Sequence, residues 1–466
     1  MTIRRLLIAN RGEIAVRIAR TAAEMRIETV AVFPEDDAKT LHVRACDHAE
    51  PIPGRGARAY LDPDALVEAA KRAGADAVHP GYGFLSESVA FARACEHAGL
   101  TWVGPTPASL ALFGDKVEAR AHAARHDVPT IPGSPGPVDA AGAEAVFDQL
   151  PEGASLVIKA VAGGGGRGMR VVHAREEIAE AHARCTSEAK AAFGDGAVYA
   201  ERFLPAARHI EVQVLGDGTG ECLHLLERDC TLQRRHQKVL EIAPAPDLSA
   251  PAREALLSHA LKLARAGDYR SLGTFEFLAL PDASEVFFIE ANPRIQVEHT
   301  VTEEILGLDL VRLQLQIASG RTLADLGLSQ ASLPQPSGYA IQARVNAERM
   351  DAKGQARPSV GTLSKWEPPF GPGVRIDTLA YSGWGNSPAY DSLIAKVIVH
   401  SRSPEFGDAL RKIDRALGEL KCVGIETNAR WLRALSQRPE VADYAVTTRF
   451  IESVAGELAA AAAALP

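Results

Sequence analysis

Five polar residues recur at every second position of one short stretch, FIEANPRIQVEHTVTE at 288–303: Glu290, Asn292, Arg294, Gln296 and Glu298. In extended chain that spacing sends all five to one face. A solvated edge strand shows the same alternation. Here the preceding run 286–289 reads as buried, and the polar set mixes carboxylate, amide and guanidinium, as an anion-plus-metal site needs. Pro293 interrupts any long ladder, so the stretch is expected to be an irregular strand end lining a cavity. A hairpin over 273–292 supplies a second carboxylate. With its loop near 281–285, Glu276 falls directly across from Glu290. Like charges opposed on a sheet destabilise it, and burial raises the cost. A divalent cation between them removes the penalty. Two carboxylates and the Asn292 amide are hard oxygen ligands suited to Mg²⁺ or Mn²⁺, with phosphate oxygens completing the shell. A register slipped by one residue would instead turn one glutamate to solvent.

Two further segments carry anion chemistry. GGGGRG at 163–168 matches a dinucleotide fingerprint only through its run of glycines, because strand is expected on both sides and no helix follows. A glycine-rich hairpin tip lets backbone N–H groups approach phosphates closely, and Lys159 on the strand before it would neutralise their charge. A flexible surface loop is the plain alternative. A kinase is excluded, since no HRD or DFG triplet follows. ERDCTLQRRHQK at 227–238 gathers Arg234, Arg235, His236 and Lys238; beside the hairpin such a run forms an anion-binding wall rather than a solvated face. Cys230 reads as structural.

Alternating elements must position these groups. Over 1–113, strands are expected at 6–9, 29–33, 77–79 and 102–103, with helices at 14–25, 63–73 and 86–98, which implies a parallel sheet with covering helices. A helix at 116–125 precedes the Pro/Gly-rich 129–137. A small unit at about 130–204 then holds strands at 156–161, 169–173 and 197–203 and a helix at about 176–193. Strands at 209–215 and 221–227, the hairpin and a helix at 308–319 follow. Residues 333–337 read as a linker, a last domain opens with a strand at 339–346, and the alanine run 459–464 reads as a frayed helix or a join to further chain.

The chain has 466 residues, a length that suggests about three domains. Its 46% hydrophobic and 24% charged residues are ordinary for a soluble globular protein. A net charge of -8 argues against a general nucleic-acid binder. Six scattered cysteines without a CxxC pair favour free thiols in a reducing compartment. The apolar run 6–9 is too short for a signal peptide, and no segment approaches the ~20 apolar residues of a membrane helix. A cytoplasmic protein without membrane or nucleic-acid partners is expected.

Together, HPGYGFLSE (79–87), GDK (114–116), KAVAGGGGRGMR (159–170), ERDC with QRRHQK, GTFEF (273–277) and FIEANPRIQVEH (288–299) resemble biotin carboxylase, an ATP-grasp family, over nearly the whole chain. The resemblance implies an α/β and α+β multidomain fold. Residues 1–113 would form a Rossmann-like domain and 114–332 an ATP-grasp domain with a mobile lid at about 130–204. Residues 333–450 would form a C-terminal biotin carboxylase domain, followed by an Ala-rich tail at 451–466. It implies ATP-dependent carboxylation of biotin by bicarbonate, through carboxyphosphate, as the first half-reaction of a biotin-dependent carboxylase. Lys116, Lys159, Gly165, Gly166, Glu201, Leu204, His209, Gln233, His236 and Leu278 would hold ATP, and Glu276, Glu290 and Asn292 would hold Mg²⁺ or Mn²⁺. Lys238, Arg294, Gln296 and Val297 would bind bicarbonate. Glu298 would be the general base, and Arg344 would stabilise the biotin enolate. The implied partners are a biotin carboxyl carrier protein or domain and a carboxyltransferase, in a homodimer or a larger complex.

Departures are few. Ala162 stands where some members have glycine, and Ser88 replaces an asparagine common in bacterial members. Pro293 and HTVTEE look more like the fused pyruvate and acyl-CoA carboxylases, which leaves the final carboxyl acceptor open. No methionine adjoins a lysine. The Met-Lys-Met biotin tether is therefore absent, and biotin is expected to arrive on another chain or segment. Two rivals stand beside this reading: a bicarbonate-activating ligase such as a carbamoyl-phosphate synthase half, and a noncatalytic scaffold.

Overall fold

The computed structural model describes residues 2–161, 168–281, 285–351 and 353–465, with the backbone alone of Phe193. The glycine run with Gly165 and Gly166 lies outside the described residues.

Strands β1 (Arg5–Ile8), β2 (Glu28–Phe33), β3 (His48–Pro51), β4 (Ala77–His79) and β5 (Thr101–Trp102) form an all-parallel sheet in the order β3-β2-β1-β4-β5. Leu6, Leu7 and Ile8 are all buried. A parallel sheet covered on both faces produces such a continuous apolar run. The chain turns from β1 into the helix Gly12–Glu24, which buries Ile14, Ala15, Ile18 and Ala22 against the sheet. Its Glu13 and Arg17 instead meet the rest of the molecule.

Three antiparallel strands, β6 (Ser155–Ala160), β7 (Met169–Val172) and β8 (Val198–Phe203), make a separate small sheet in the order β7-β6-β8. The helices Ala140–Phe147 and Ile178–Phe193 cover it around Leu156, Ile158, Ile178 and Val198.

The site is built on an eight-stranded sheet. Its members are β9 (Arg208–Asp217), β10 (Cys222–Asp229), β13 (Leu240–Ala243), β14 (Arg270–Ala279), β15 (Val286–Asn292), β16 (Tyr339–Asn346), β20 (Val374–Thr378) and β21 (Leu393–Ser401). The order is β15-β14-β9-β10-β13-β16-β21-β20. A short hairpin of β11 (Gln233–Arg234) and β12 (Gln237–Lys238) rises between β10 and β13. Two further pairs, β17 (Glu348–Met350) with β18 (Ala356–Pro358) and β19 (Lys365–Glu367) with β22 (Lys421–Val423), lie outside the sheet. The sheet crosses the linker at 333–337 without a break, because β13 pairs with β16.

Alternation along the strands gives this sheet two faces. Ile210, Val212 and Val214 of β9 and Phe275 and Phe277 of β14 pack into one core with the helix Ala250–Ala266. His209, Glu211 and Gln213, with Thr274 and Glu276, are equally buried on the other face. Polar groups are buried in such numbers only where they pair with one another. Gly273 shows how closely β14 is packed: a Cβ there would stand 2.1 Å from the Tyr269 hydroxyl. Tyr269 is fully buried and donates to the Leu272 carbonyl at 3.1 Å, so it cannot swing away. Gly273→Ala is therefore expected to destabilise the protein by about 1–3 kcal/mol, as overpacking does; an unchanged thermal midpoint would contradict that.

The sequence reading missed the helix Ala250–Ala266, although Ser249 caps it and Pro251 opens it, and it missed β13. It also carried strand too far. β15 stops at Asn292, whose carbonyl accepts from the Arg294 N–H at 2.8 Å, and the helix His299–Leu306 begins directly after Glu298. The five alternating polar residues therefore do not share a strand face. Pro293 starts a turn, and they reach one site by the path of that turn. No described helix is long and apolar enough to cross a membrane.

Candidate active site

Strand register sets a row of charge across the buried polar face. Glu276 of β14 pairs with Glu290 of β15 on one side and with Glu211 of β9 on the other, and Glu211 pairs with Arg228 of β10. The two hairpin glutamates thus face each other as cross-strand pairing requires. A bulge between Glu276 and Phe277 leaves Ile289 as the extra residue.

Cations compensate every member of the row. Lys238 reaches down from β12, and its Nζ lies 2.6 Å from Glu211, 2.9 Å from Glu276 and 2.7 Å from Glu298. Burial works against the ammonium, but these three carboxylates outweigh it and raise Lys238 well above its ordinary value. Glu276 Oε1 also accepts from Asn292 Nδ2 and Gln296 Nε2, both at 2.9 Å. Its Oε2 lies 2.7 Å from His209 Nε2, at ion-pair distance without hydrogen-bond alignment. Gln233 Nε2 donates to His209 Nδ1 at 2.7 Å, which places the ring proton on Nε2, toward Glu276. Lys116, at the start of the helix Lys116–Arg125, pairs with Glu290 at 2.8 Å.

Glu298 holds the second cluster. One oxygen takes Lys238 and the other takes Arg344 Nη2 at 2.9 Å. Burial alone would raise its pKa; Lys238, Arg344 and Arg228 reverse this and hold Glu298 far below the usual carboxylate range. Arg344 projects from β16 and donates to Glu241 as well, while its own N–H donates to the Val239 carbonyl at 3.1 Å. Arg294 spans Glu87 and the Asn292 amide oxygen, the latter at 2.8 Å. Gln296 accepts from Arg228 at 2.9 Å. The Val297 carbonyl is held at 3.1 Å by Lys396, a fully buried lysine that also pairs with Glu13 at 3.0 Å.

A third group lies on the small sheet. Lys159 and Arg120 share the buried Glu201 carboxylate, one oxygen each. Leu204 and Leu278 join Ile131, Phe287 and Ile289 in an apolar cluster, the kind of wall a flat heterocycle needs. His236 is exposed, with φ 62, at the turn between β11 and β12.

The expected residues that the structure describes thus fall into one connected region; Gly165 and Gly166 lie outside the described residues. Several of their partners were missed: Glu211, Arg228, Glu241, Arg120, Glu87 and Lys396. For Glu211 a signal existed. RHIEVQV at 208–214 alternates polar and apolar residues as 288–298 does, and Arg228 belongs to the ERDC segment.

The donor set fits a hard divalent cation. Cross-strand register pairs Glu276 with Glu290, and the Asn292 amide touches the Glu276 carboxylate. His209, Glu211 and Glu276 also bring ligand atoms within 4.8 Å of one another. Each carboxylate here already holds a cation, which is the charge balance that a metal with phosphates would take over.

Acid should undo this site. Burial raises the carboxyls of Glu276, Glu298 and Glu201, but neighbouring cations prevail and lower all three. A carboxylate depressed in the folded state contributes stability that is fully present above its unfolded value of about 4.3 and is lost as pH falls through the folded value. The thermal midpoint is expected to hold near neutrality and to fall steeply below about pH 4.3. A flat midpoint down to about pH 3 would count against these pairings.

Three family models match the chain in succession. They are Biotin carboxylase, N-terminal domain, at 2–110; Carbamoyl-phosphate synthase L chain, ATP binding domain, at 115–326; and Biotin carboxylase C-terminal domain, at 342–453. Pyruvate carboxylase of Aspergillus niger is 46% identical over 457 residues, 97% of this chain and 38% of that protein. This chain therefore spans well under half the length of that relative. The biotin carboxylase of Campylobacter jejuni, solved as a beta-gamma-ATP complex, is 37% identical with a TM-score of 0.91, covering 97% of this chain and 99% of its own. The biotin carboxylase domain dimer of Hydrogenobacter thermophilus 2-oxoglutarate carboxylase, solved with MgADP, ADP and bicarbonate, is 39% identical with a TM-score of 0.91, covering 98% and 99%. Matched along its length by these models and structures, the chain belongs to the biotin carboxylase family, carbon–nitrogen ligases built from a Rossmann-like N-terminal domain, an ATP-grasp domain and a C-terminal biotin carboxylase domain.

Proposed function

We propose that this chain uses ATP and bicarbonate to carboxylate biotin presented by a carrier protein or domain, as the first half-reaction of a biotin-dependent carboxylase. One observation carries the reading: Glu298 is gripped by Lys238 on one oxygen and Arg344 on the other, beside the Glu276–Glu290 pair. That joins a base, two anion-binding cations and a metal-type carboxylate pair in one buried site. The Campylobacter jejuni relative was solved as a beta-gamma-ATP complex and the Hydrogenobacter thermophilus relative with MgADP, ADP and bicarbonate, which supports ligands of the same kind here.

The residues then take the following roles. Leu204 and Leu278 pack on the base of ATP, with His209, Gln233 and His236 beside it, and Lys116 and Lys159 take its phosphates. Glu276, Glu290 and Asn292 hold Mg²⁺ or Mn²⁺. When bound, that ion neutralises phosphate charge and orients the γ-phosphoryl group. Lys238, Arg294, Gln296 and the Val297 backbone hold bicarbonate. Glu298 takes its proton as it attacks the γ-phosphate, which breaks the bond to the β-phosphate oxygen and expels ADP to form carboxyphosphate. Before substrates bind, Glu298 is a weak base, because two cations suppress its proton affinity. Bicarbonate draws on Lys238 and the biotin ureido oxygen draws on Arg344, and each transfer raises that affinity. The base is therefore switched on by the substrates it serves. Carboxyphosphate then splits into CO₂ and phosphate; the phosphate removes the ureido proton, Arg344 stabilises the enolate, and the ureido nitrogen takes up the CO₂.

The unit at about 130–204 would close as a lid, which its separate sheet and core permit. We divide the chain at about 113 and 332, with 451–466 as a tail. The carrier, a carboxyltransferase and the final acceptor, whether pyruvate, an acyl-CoA or another acid, lie on other segments or chains of a larger assembly, and a homodimer and a cytoplasmic setting fit the same reading. A carbamoyl-phosphate synthase reading lacks any use for Arg344. ADP release decides between them. Turnover should require bicarbonate and Mg²⁺ and rise with free biotin; ammonia-dependent, biotin-independent turnover would overturn the proposal.

A further inference from the structure

The Glu201 carboxylate has two cationic partners on different parts of the fold. Lys159, on β6, takes Oε1; Arg120, on the helix Lys116–Arg125, takes Oε2 at 2.8 Å. Glu201 is 3% exposed. Burial opposes its ionisation, but the two cations hold its pKa below the ordinary value. A carboxylate this deep cannot be left without a counter-ion.

The two cations differ in what else they touch. Arg120 also donates from Nη2 to the Ile131 carbonyl at 3.0 Å, and its guanidinium carbon lies 5.5 Å from the Tyr199 ring centre. Ile131 belongs to the segment that leads into the small sheet, where Gly133 bridges to Glu201 and the Arg202 N–H donates to the Pro132 carbonyl at 2.8 Å. Arg120 is thus fixed by the backbone as well as by Glu201. Among the described residues, Lys159 forms its ion pair with Glu201 alone, and it keeps 30% of its side chain exposed. Of the two, Lys159 is the one free to move.

We propose that Arg120 is a positioning residue that keeps Glu201 neutralised so that Lys159 can leave it for the nucleotide phosphates. This rests on the reading of the site as an ATP site. Without Arg120, Lys159 becomes the sole counter-ion of a buried carboxylate. Phosphate binding then has to strip that ion pair, and affinity falls for ligands with phosphates only. The Glu201 carboxylate, with both oxygens occupied, acts on ATP through this balance of charge.

Binding of ATP and of adenosine to the full chain, measured by titration calorimetry without added metal, tests the inference. In Arg120→Gln the dissociation constant for ATP should rise at least about fivefold, the lower range of a coupling between sites, with adenosine unchanged. Arg120→Lys should recover most of the loss, and Arg120→Gln combined with Glu201→Gln should recover it as well. If Arg120→Gln does not fold, Glu201→Gln alone decides: ATP should bind more tightly, with adenosine unchanged. Equal ATP binding by Arg120→Gln and the parent, equal losses for ATP and adenosine, or no gain in Glu201→Gln would each overturn the role of Arg120. A parent chain that binds neither ligand would instead overturn the ATP reading, and this inference with it.

Discussion

Replacing Glu298 by glutamine should abolish bicarbonate-dependent ADP release while leaving ATP bound as tightly as before. The change keeps the shape of the side chain and removes its charge and its ability to accept a proton. Loss of a general base lowers a rate by about 10²–10⁴-fold, and here the loss falls on the step that makes the nucleophile. ATP affinity should hold because none of the groups on Glu298 is a proposed nucleotide ligand: its partners are Lys238 and Arg344. Lys238 keeps Glu211 and Glu276 when Glu298 becomes neutral, and Arg344 keeps Glu241. The bicarbonate KM should change less than kcat, because Lys238, Arg294 and Gln296 are untouched. A variant that released ADP at the parent rate would show that Glu298 is not the base. A variant that lost ATP binding equally would show that it is structural.

How far this site could be read from the sequence depended on the range of the contact. The Glu276–Glu290 pair was legible in that both residues lie on one hairpin, but the register set by the loop would place Glu276 opposite Ile289, and only the bulge at Ile289, which no letter announces, brings Glu290 across from it. Leu6–Ile8 was legible from its apolar run. The path beyond Asn292 was not, because a period of two continues through Pro293 in the letters while the backbone turns there. Glu211 and Arg228 were missed for a different reason. Glu211 lies beside Glu276, and Arg228 beside Glu211, only because β9 lies between β14 and β10, and strand order is not written in any one strand. Arg120 looks like any charge on a helix surface until β8 brings Glu201 beneath it. Lys396 is the plainest lost signal: a lysine inside the apolar run LIAKVIVHS requires a buried carboxylate, and Glu13, from the far end of the chain, provides it.

Arg228→Met should cost more stability than Gly273→Ala, about 3–5 kcal/mol, the cost of breaking a buried ion pair from one side. Arg228 is fully buried, and its guanidinium donates to Glu211 at 2.5 Å, Gln213 at 2.7 Å, Thr302 at 3.0 Å, Thr274 at 3.1 Å and Gln296 at 2.9 Å. That uses all five N–H donors of the side chain. Methionine fills much of the same volume but leaves Glu211 with Lys238 alone and strands four buried acceptors. Lysine cannot replace the planar fork, so Arg228→Lys should recover only part of the loss. Activity should fall as well, since an undercompensated Glu211 draws Lys238 away from Glu298, and Gln296 loses the donor that orients it. The origin of the penalty is separable. If it comes from an unpaired buried charge, removing both charges in Arg228→Met with Glu211→Met should restore part of the thermal midpoint lost in Arg228→Met. A double variant that loses the sum of the two single losses would mean that packing, not charge, makes Arg228 essential to the sheet.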